Sequence, residues 1–267
     1  MGFDASVISG VVKFIEPEFG LSKLQLGWAV SSLTLTATLA MMIVGPLSDR
    51  FGRKKILSVA AAIYALSAIL SALAPSFWFL VVARMIGGFG VGASLIIAPM
   101  YIAETAPPKM RGRLVSFNQL NIVIGISTAF FTNYLILQWG KSDASWAQSL
   151  QFNAYNWRWM LGLETLPAIL YFFALFIVPR SPRWLIMKGH EEDALKIMQN
   201  SVGELEAQKD LASIKESLNA DKNAKKGKLM DVFKPSIRTV LIIGVVLAVL
   251  QQITGINSVF FYAPMIF

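Results

Sequence analysis

The chain has no cysteine in its 267 residues, so it forms no disulfide framework, carries no thiolate nucleophile and holds no cysteine-based zinc site. Its single histidine, His190, lies beside Glu191 and Glu192 in a polar segment, where it reads as an ordinary surface residue. Charge is scarce too: 15% of residues are charged, against about 25% in soluble domains. In its place stand 55% hydrophobic residues and a mean hydropathy of +0.57. These shortages exclude a soluble enzyme and a nucleic-acid-binding protein as primary readings. The apolar residues gather in runs of about 20, the length that crosses roughly 30 Å of hydrocarbon as a helix. The composition is that of an integral membrane protein.

Acidic residues are the rarer sign, 16 against 24 basic ones, giving a net charge of +8. Half of the basic residues lie between Pro179 and Arg238, and most others sit in two short loops. That placement suits topology-setting charge and attraction to an anionic inner leaflet better than a polynucleotide groove. No nucleic acid partner, metal or cofactor is expected.

The apolar segments follow one another at about Gly2–Ile15, Leu24–Leu47, Ile56–Ala74, Phe77–Ile102, Leu114–Leu137 and Trp159–Val178. A seventh covers Thr239–Ile253 and continues beyond Gly255 to Phe267. None alternates with period two, so helices are expected, each closing its own backbone hydrogen bonds. The first segment is too short to span unaided. Met1-Gly2-Phe3-Asp4-Ala5-Ser6 formally matches a myristoylation pattern. No basic region precedes the apolar residues after it, which argues against a secretory signal. The chain is expected to begin partway through a span.

Arg50, Arg53, Lys54 and Lys55 follow span two, Lys109, Arg111 and Arg113 follow span four, and Arg180 and Arg183 follow span six. The odd-numbered connections are poorer in Lys and Arg, so the even ones and the N-terminus are expected on the cytoplasmic side. Within Arg180–Ser236, Leu195, Met198, Leu205, Leu211, Ile214 and Leu218 recur near helical spacing, and Asp221–Lys228 is a Lys-rich linker. The expected organisation is a transmembrane bundle over residues 1–178, a cytoplasmic helical linker over 179–236, and the seventh span over 237–267.

Ionised side chains near the centre of a span cost about 2.5–3.5 kcal/mol each on insertion scales, so they face partners or cavities. Asp4, Arg84 and Glu164 are such residues, open to two readings: a proton site, or a static ion pair between helices. Asn118, Gln119 and Asn121 cluster in span five, and Gln251, Gln252 and Asn257 surround Gly255 in span seven. Uncharged amides offer donors and acceptors together, which suits a neutral polyhydroxylated ligand, although interhelical hydrogen bonding explains them as well. Gly255 and Pro264 mark span seven as a candidate broken helix. Gly87, Gly88, Gly90 and Gly92 in span four are assigned to close helix packing. No G-x-x-x-x-G-K-[ST] phosphate loop is present.

Gly45-Pro46-Leu47-Ser48-Asp49-Arg50-Phe51-Gly52-Arg53-Lys54 resembles the loop signature of the major facilitator superfamily, matching every specified position. Arg84-Met85-Ile86-Gly87-Gly88, Pro99-Met100-Tyr101-Ile102-Ala103-Glu104 and Arg111-Gly112 resemble the fourth span and next loop of sugar porters. Pro179-Arg180-Ser181-Pro182-Arg183-Trp184-Leu185 is similar to their P-E-S-P-R-[WY]-L. Gln251-Gln252-Ile253-Thr254-Gly255-Ile256-Asn257, with Tyr262, resembles their seventh-span sugar motif.

The resemblance implies an all-α membrane protein of the major facilitator fold, comprising the N-terminal six-helix bundle, a helical linker and the start of the second bundle. It implies monosaccharide transport by alternating access, driven by a proton and most like bacterial xylose–proton symporters. Gln119, Gln251, Gln252 and Asn257 match amides that bind sugar hydroxyls. Asp4, Arg84 and Glu164 match the proton-coupling charges, with protonation of Asp4 releasing Arg84. Asp49, Arg53, Glu104, Arg111 and Arg183 match a cytoplasmic charge network. A cytoplasmic-membrane, multi-pass location follows. Arg180 replaces the family's usual acid, and the chain stops in span seven of an expected twelve, so transport needs a C-terminal half. The alternatives are a uniporter, a transport-dead sugar sensor, or an inactive truncated product.

Overall fold

The computed structural model describes residues 2–107, 109–223 and 235–266, and every regular element among them is a helix. The membrane bundle is built from α1 (Gly2–Phe19), α2 (Lys23–Phe51), α3 (Arg53–Ala72), α4 (Phe77–Thr105), α5 (Arg111–Gly140), α7 (Asn156–Leu163) and α8 (Thr165–Ile177). A short α6 (Ser145–Ser149) precedes α7. Then come α9 (Pro182–Met187), α10 (Glu191–Val202) and α11 (Glu204–Asn223). Last are α12 (Pro235–Ile253) and α13 (Ile256–Ile266). Six stretches are long and apolar enough to cross a membrane: α2, α3, α4, α5, Asn156–Ile177 and Ile237–Val259.

Local chemistry sets the helix ends. Gly20, at φ +60°, stops α1 and lets the Leu21 amide donate to the Glu16 carbonyl. Ser22 and Gln25 form a reciprocal capping box at the start of α2. Gly52, at φ +94°, is the whole connection between α2 and α3. The signature segment Gly45–Lys54, expected as a loop, is therefore helix except for this one residue. Span six runs from Asn156 to Ile177 with one irregular turn at Glu164, the junction of α7 and α8, where Pro167 has no amide to donate to the Leu163 carbonyl.

Lipid tails are as apolar as leucine, so helix association depends on close packing and hydrogen bonds rather than on escape from water. The glycines of α4 supply that packing on two faces. A Cβ at Gly88 would sit 2.4 Å from the Leu33 carbonyl oxygen, and one at Gly92 would sit 2.2 Å from that of Ala37, both on α2. On the other face, a Cβ at Gly90 would lie 2.7 Å from the Ala60 carbonyl oxygen, and one at Gly87 would lie 2.3 Å from Ser67 Oγ, on α3. The packing assignment for these glycines holds. On its other side α1 buries Val7, Ile8, Val11 and Ile15 in a core shared with Leu80 of α4, Ile136 of α5 and Met160 of α7. Asn133 Nδ2 of α5 donates to the Val7 carbonyl of α1 at 3.1 Å.

Outside the bundle, α9, α10 and α11 close a small core of Leu185, Ile186, Ala194, Met198 and Ala207. Leu195, Leu211, Ile214 and Leu218 pack against it, as their spacing predicted. Leu205 does not: it is 70% exposed, because Gly203 at φ +85° breaks the helical phase just before it. His190 is exposed. Of the Lys-rich stretch 221–228, residues 221–223 finish α11 and the rest lie outside the described residues.

Gly92→Ala forces a methyl against the α2 backbone, so the bundle is expected to lose about 1–3 kcal/mol. Gly244→Ala, where nothing lies within 4 Å, is expected not to lower stability. Thermal unfolding of the purified protein in detergent separates the two.

Candidate functional site

Four helices converge on a buried polar cluster. Asp4 sits in the first turn of α1 and Arg84 on α4, three residues ahead of Gly87. Glu164 occupies the junction of α7 and α8, and Tyr64 is on α3. Asp4, Arg84 and Glu164 are 3%, 2% and 3% exposed. Arg84 Nη1 lies 3.8 Å from Asp4 Oδ1, a loose ion pair. Glu164 faces Asp4, Tyr64 and Arg84. The sequence thus predicted three members that the fold brings together, from helices 80 and 160 residues apart along the chain.

The cluster is under-satisfied. Asp4 Oδ2, Arg84 Nε, Glu164 Oε1 and Tyr64 Oη are all buried without a hydrogen-bond partner in the protein. Two carboxylates share one guanidinium, so full ionisation leaves one negative charge uncompensated in an apolar surround. One added proton makes the group neutral. A buried charge without a partner is costly, so the cluster is one counter-charge short when both acids are ionised.

A second network lies at the end of the bundle where the basic loops gather. Arg53, only 5% exposed, makes a two-pronged contact with Glu104, Nε to Oε2 and Nη2 to Oε1, each 2.9 Å. Arg53 Nη1 reaches Asp49 Oδ1 at 2.8 Å and donates to the Ser48 carbonyl at 3.1 Å. Ser181 Oγ, from the turn before α9, donates to Glu104 Oε2. Tyr101 Oη donates to the Pro179 carbonyl at 2.7 Å. Asp49, Arg53 and Glu104 are therefore directly joined. Arg111, the first residue of α5, is exposed on the rim of a cavity that Glu104 also lines. Arg183 Nη1 extends to Ser217 Oγ of α11 at 3.4 Å. Arg180 lines a separate cavity with Lys54, Lys55 and Trp184.

The amides are arranged differently. Gln119 is exposed on α5, whereas its neighbours Asn118 and Asn121 line a cavity of about 290 Å³ with Tyr64, Ser94 and Tyr171. Gln251 and Gln252 are exposed on α12. Asn257 Nδ2 donates to Gln252 Oε1 at 3.0 Å across Gly255, whose φ of +70° breaks span seven as anticipated. Of the four amides singled out in the sequence, Gln252 and Asn257 are joined directly to each other.

Sequence reasoning missed Tyr64, Ser181 and Tyr101. A hydroxyl in mid-span is too common to stand out, and only the fold turns Tyr64 toward Glu164 or brings Ser181 under Glu104.

Packed membrane helices with a buried acid–arginine cluster and a charge network at one end define an integral membrane helical bundle. The family model described as "Sugar (and other) transporter" matches residues 1–267, and the chain belongs to that family. It is 40% identical over 266 residues to the arabinose-proton symporter of Bacillus subtilis, covering 100% of this chain and 55% of that protein. It is 36% identical over 296 residues to the D-xylose-proton symporter of Escherichia coli, covering 57% of it. The partially occluded, inward-open structure of the E. coli xylose transporter XylE aligns at TM-score 0.84 and 35% identity, over 99% of this chain and 63% of that one. The XylE structure bound to 6-bromo-6-deoxy-D-glucose, a major facilitator superfamily proton:xylose symporter, aligns at 0.83 and 36%, over 100% and 59%. The chain spans a little over half the length of these relatives.

Glu104→Gln strips charge from a partner of a nearly fully buried arginine, and is expected to cost about 3 kcal/mol of stability. Lys23→Gln, which breaks an exposed pair with Glu16, is expected to cost under about 1 kcal/mol. Denaturation midpoints of the two variants test the difference.

Proposed function

We propose that the chain forms the first helical bundle, and the beginning of the second, of a transporter that carries a monosaccharide across the cytoplasmic membrane with a proton. The observation that carries this reading is the buried trio of Asp4, Arg84 and Glu164, in which two acids share one cation and a single proton changes the net charge from negative to neutral. The relatives' names, arabinose–proton and xylose–proton symporters, support the same cargo and driving ion.

In this mechanism the proton enters the acid pair, Asp4 loosens from Arg84, and the bundle becomes free to rearrange. Gln119 of α5 and Gln251, Gln252 and Asn257 around Gly255 hydrogen-bond the sugar hydroxyls, in a cleft completed by a second bundle. Asp49, Arg53 and Glu104, with Arg111 and Arg183, hold one end of the bundle closed until the sugar and proton are loaded. Substrate moves without covalent change, so no nucleophile or cofactor takes part. The positive-inside pattern supports a cytoplasmic Arg53–Glu104 end, with the chain entering the bundle of residues 1–178 from that side and the linker 179–236 lying there ahead of span seven over 237–267.

Asp4→Asn in the full-length transporter is expected to abolish uphill sugar uptake while sparing sugar exchange, measured with radiolabelled sugar in energised cells and in counterflow vesicles. Unchanged uphill uptake overturns the proton role. Gln251→Ala removes one hydroxyl contact, and the half-saturating sugar concentration is expected to rise about 3–10-fold. An unchanged value removes Gln251 from the sugar site.

A further inference from the structure

Tyr64 stands out among the buried polar groups because nothing in the sequence motifs or in the coupling mechanism above uses it. It belongs to a buried apolar cluster with Ala37 of α2, Val91 of α4 and Ala168 of α8. Gly90 of α4 makes room for it: a Cβ there would lie 3.4 Å from Tyr64 Cβ. A ring held this way aims its hydroxyl in one direction, and that direction is the buried ionic cluster. Glu164 from the α7–α8 junction, Asp4 from α1 and Arg84 from α4 all face it. The helix α2 contributes apolar Ala37 and Met41 to the apolar cluster, and the cavity that Tyr64 lines adds the uncharged Ser94, Asn118, Asn121 and Tyr171. Tyr64 Oη faces the Glu164 carboxyl, and both Tyr64 Oη and Glu164 Oε1 are buried without a well-formed hydrogen bond in the protein.

A phenylalanine would fill the same space without burying an unsatisfied hydroxyl, which costs about 1–3 kcal/mol. The hydroxyl is therefore a poor choice for packing alone. It does have a use when the acid pair holds no proton. The cluster then carries one uncompensated negative charge, and Tyr64 is an uncharged donor that faces Glu164.

We propose that Tyr64 is a positioning residue for proton transfer, its hydroxyl donating to the Glu164 carboxylate when the proton has left and letting go when it returns. The proton moves between the Asp4–Glu164 pair and water; Tyr64 keeps its own proton throughout. This rests on the coupling reading of Asp4, Arg84 and Glu164. Loss of the hydroxyl weakens the proton-free state relative to the loaded one. Loading then persists to more alkaline pH.

The test is Tyr64→Phe in the full-length transporter, assayed with whichever of D-xylose, L-arabinose or D-glucose the parent takes up fastest. Sugar counterflow and membrane abundance are expected to match the parent. The alkaline limb of uphill uptake against pH is expected to move up by about one unit, a tenfold change in proton occupancy. Tyr64→Leu, which also removes the ring, separates packing from donation: a purely structural role lowers counterflow in the leucine variant and leaves the phenylalanine profile on that of the parent. A phenylalanine profile superimposed on the parent overturns the proposal. Asp4→Asn run alongside distinguishes the failures. If it retains uphill uptake, the coupling reading falls and Tyr64 with it; if it loses uphill uptake while the phenylalanine profile stays put, only the Tyr64 role falls.

Discussion

The contact on which the bundle depends is the approach of α4 to the backbones of α2 and α3, with glycine on both sides of the same helix. Gly88 and Gly92 meet carbonyls of α2, while Gly87 and Gly90 meet Ser67 and the Ala60 carbonyl of α3. In lipid there is little hydrophobic gain from pressing helices together, so contact distance sets the strength of association. The same approach sets the chemistry. Arg84 lies one turn before Gly88, so pulling α4 into the bundle carries a guanidinium to the level of Asp4 and Glu164. A single wider interface would leave that cation facing lipid and the two acids without a counter-charge.

The buried clusters around Arg53 and Arg84 are built on opposite plans. Around Arg53 nearly every polar atom is used: two prongs to Glu104, one nitrogen to Asp49 and to a carbonyl, and a serine hydroxyl on the acceptor carboxylate. Around Arg84 the contacts are loose and four polar atoms have no partner. A filled network holds a shape; an unfilled one has a place for something to arrive. The difference lies in geometry rather than in residue type, since both consist of one arginine and two acids.

Much of this was legible beforehand because membrane helices obey few rules. Length, apolarity and basic loops marked the spans, the cost of burying charge singled out Asp4, Arg84 and Glu164, and the absence of side chains at four glycines signalled close packing. What escaped had local causes. Gly52 alone turns the chain, so a segment read as a loop is almost all helix. Gly203 shifts the helical phase and throws Leu205 outward. Gln119 is exposed while Asn118 and Asn121 line the cavity, a distinction of 100° per residue that a cluster of three amides does not reveal by composition. Tyr64 could be found only once α3 and the α7–α8 junction were side by side.

Arg53 does one thing more than bind acids. Its Nη1 donates to the Ser48 carbonyl, which also receives the Gly52 amide that ends α2. The ion-pair network and the terminal turn of a membrane helix are thus one object. The last turn of α2 is thereby fastened to Glu104 on α4 through one side chain that α3 contributes, so three membrane helices are tied at a single guanidinium.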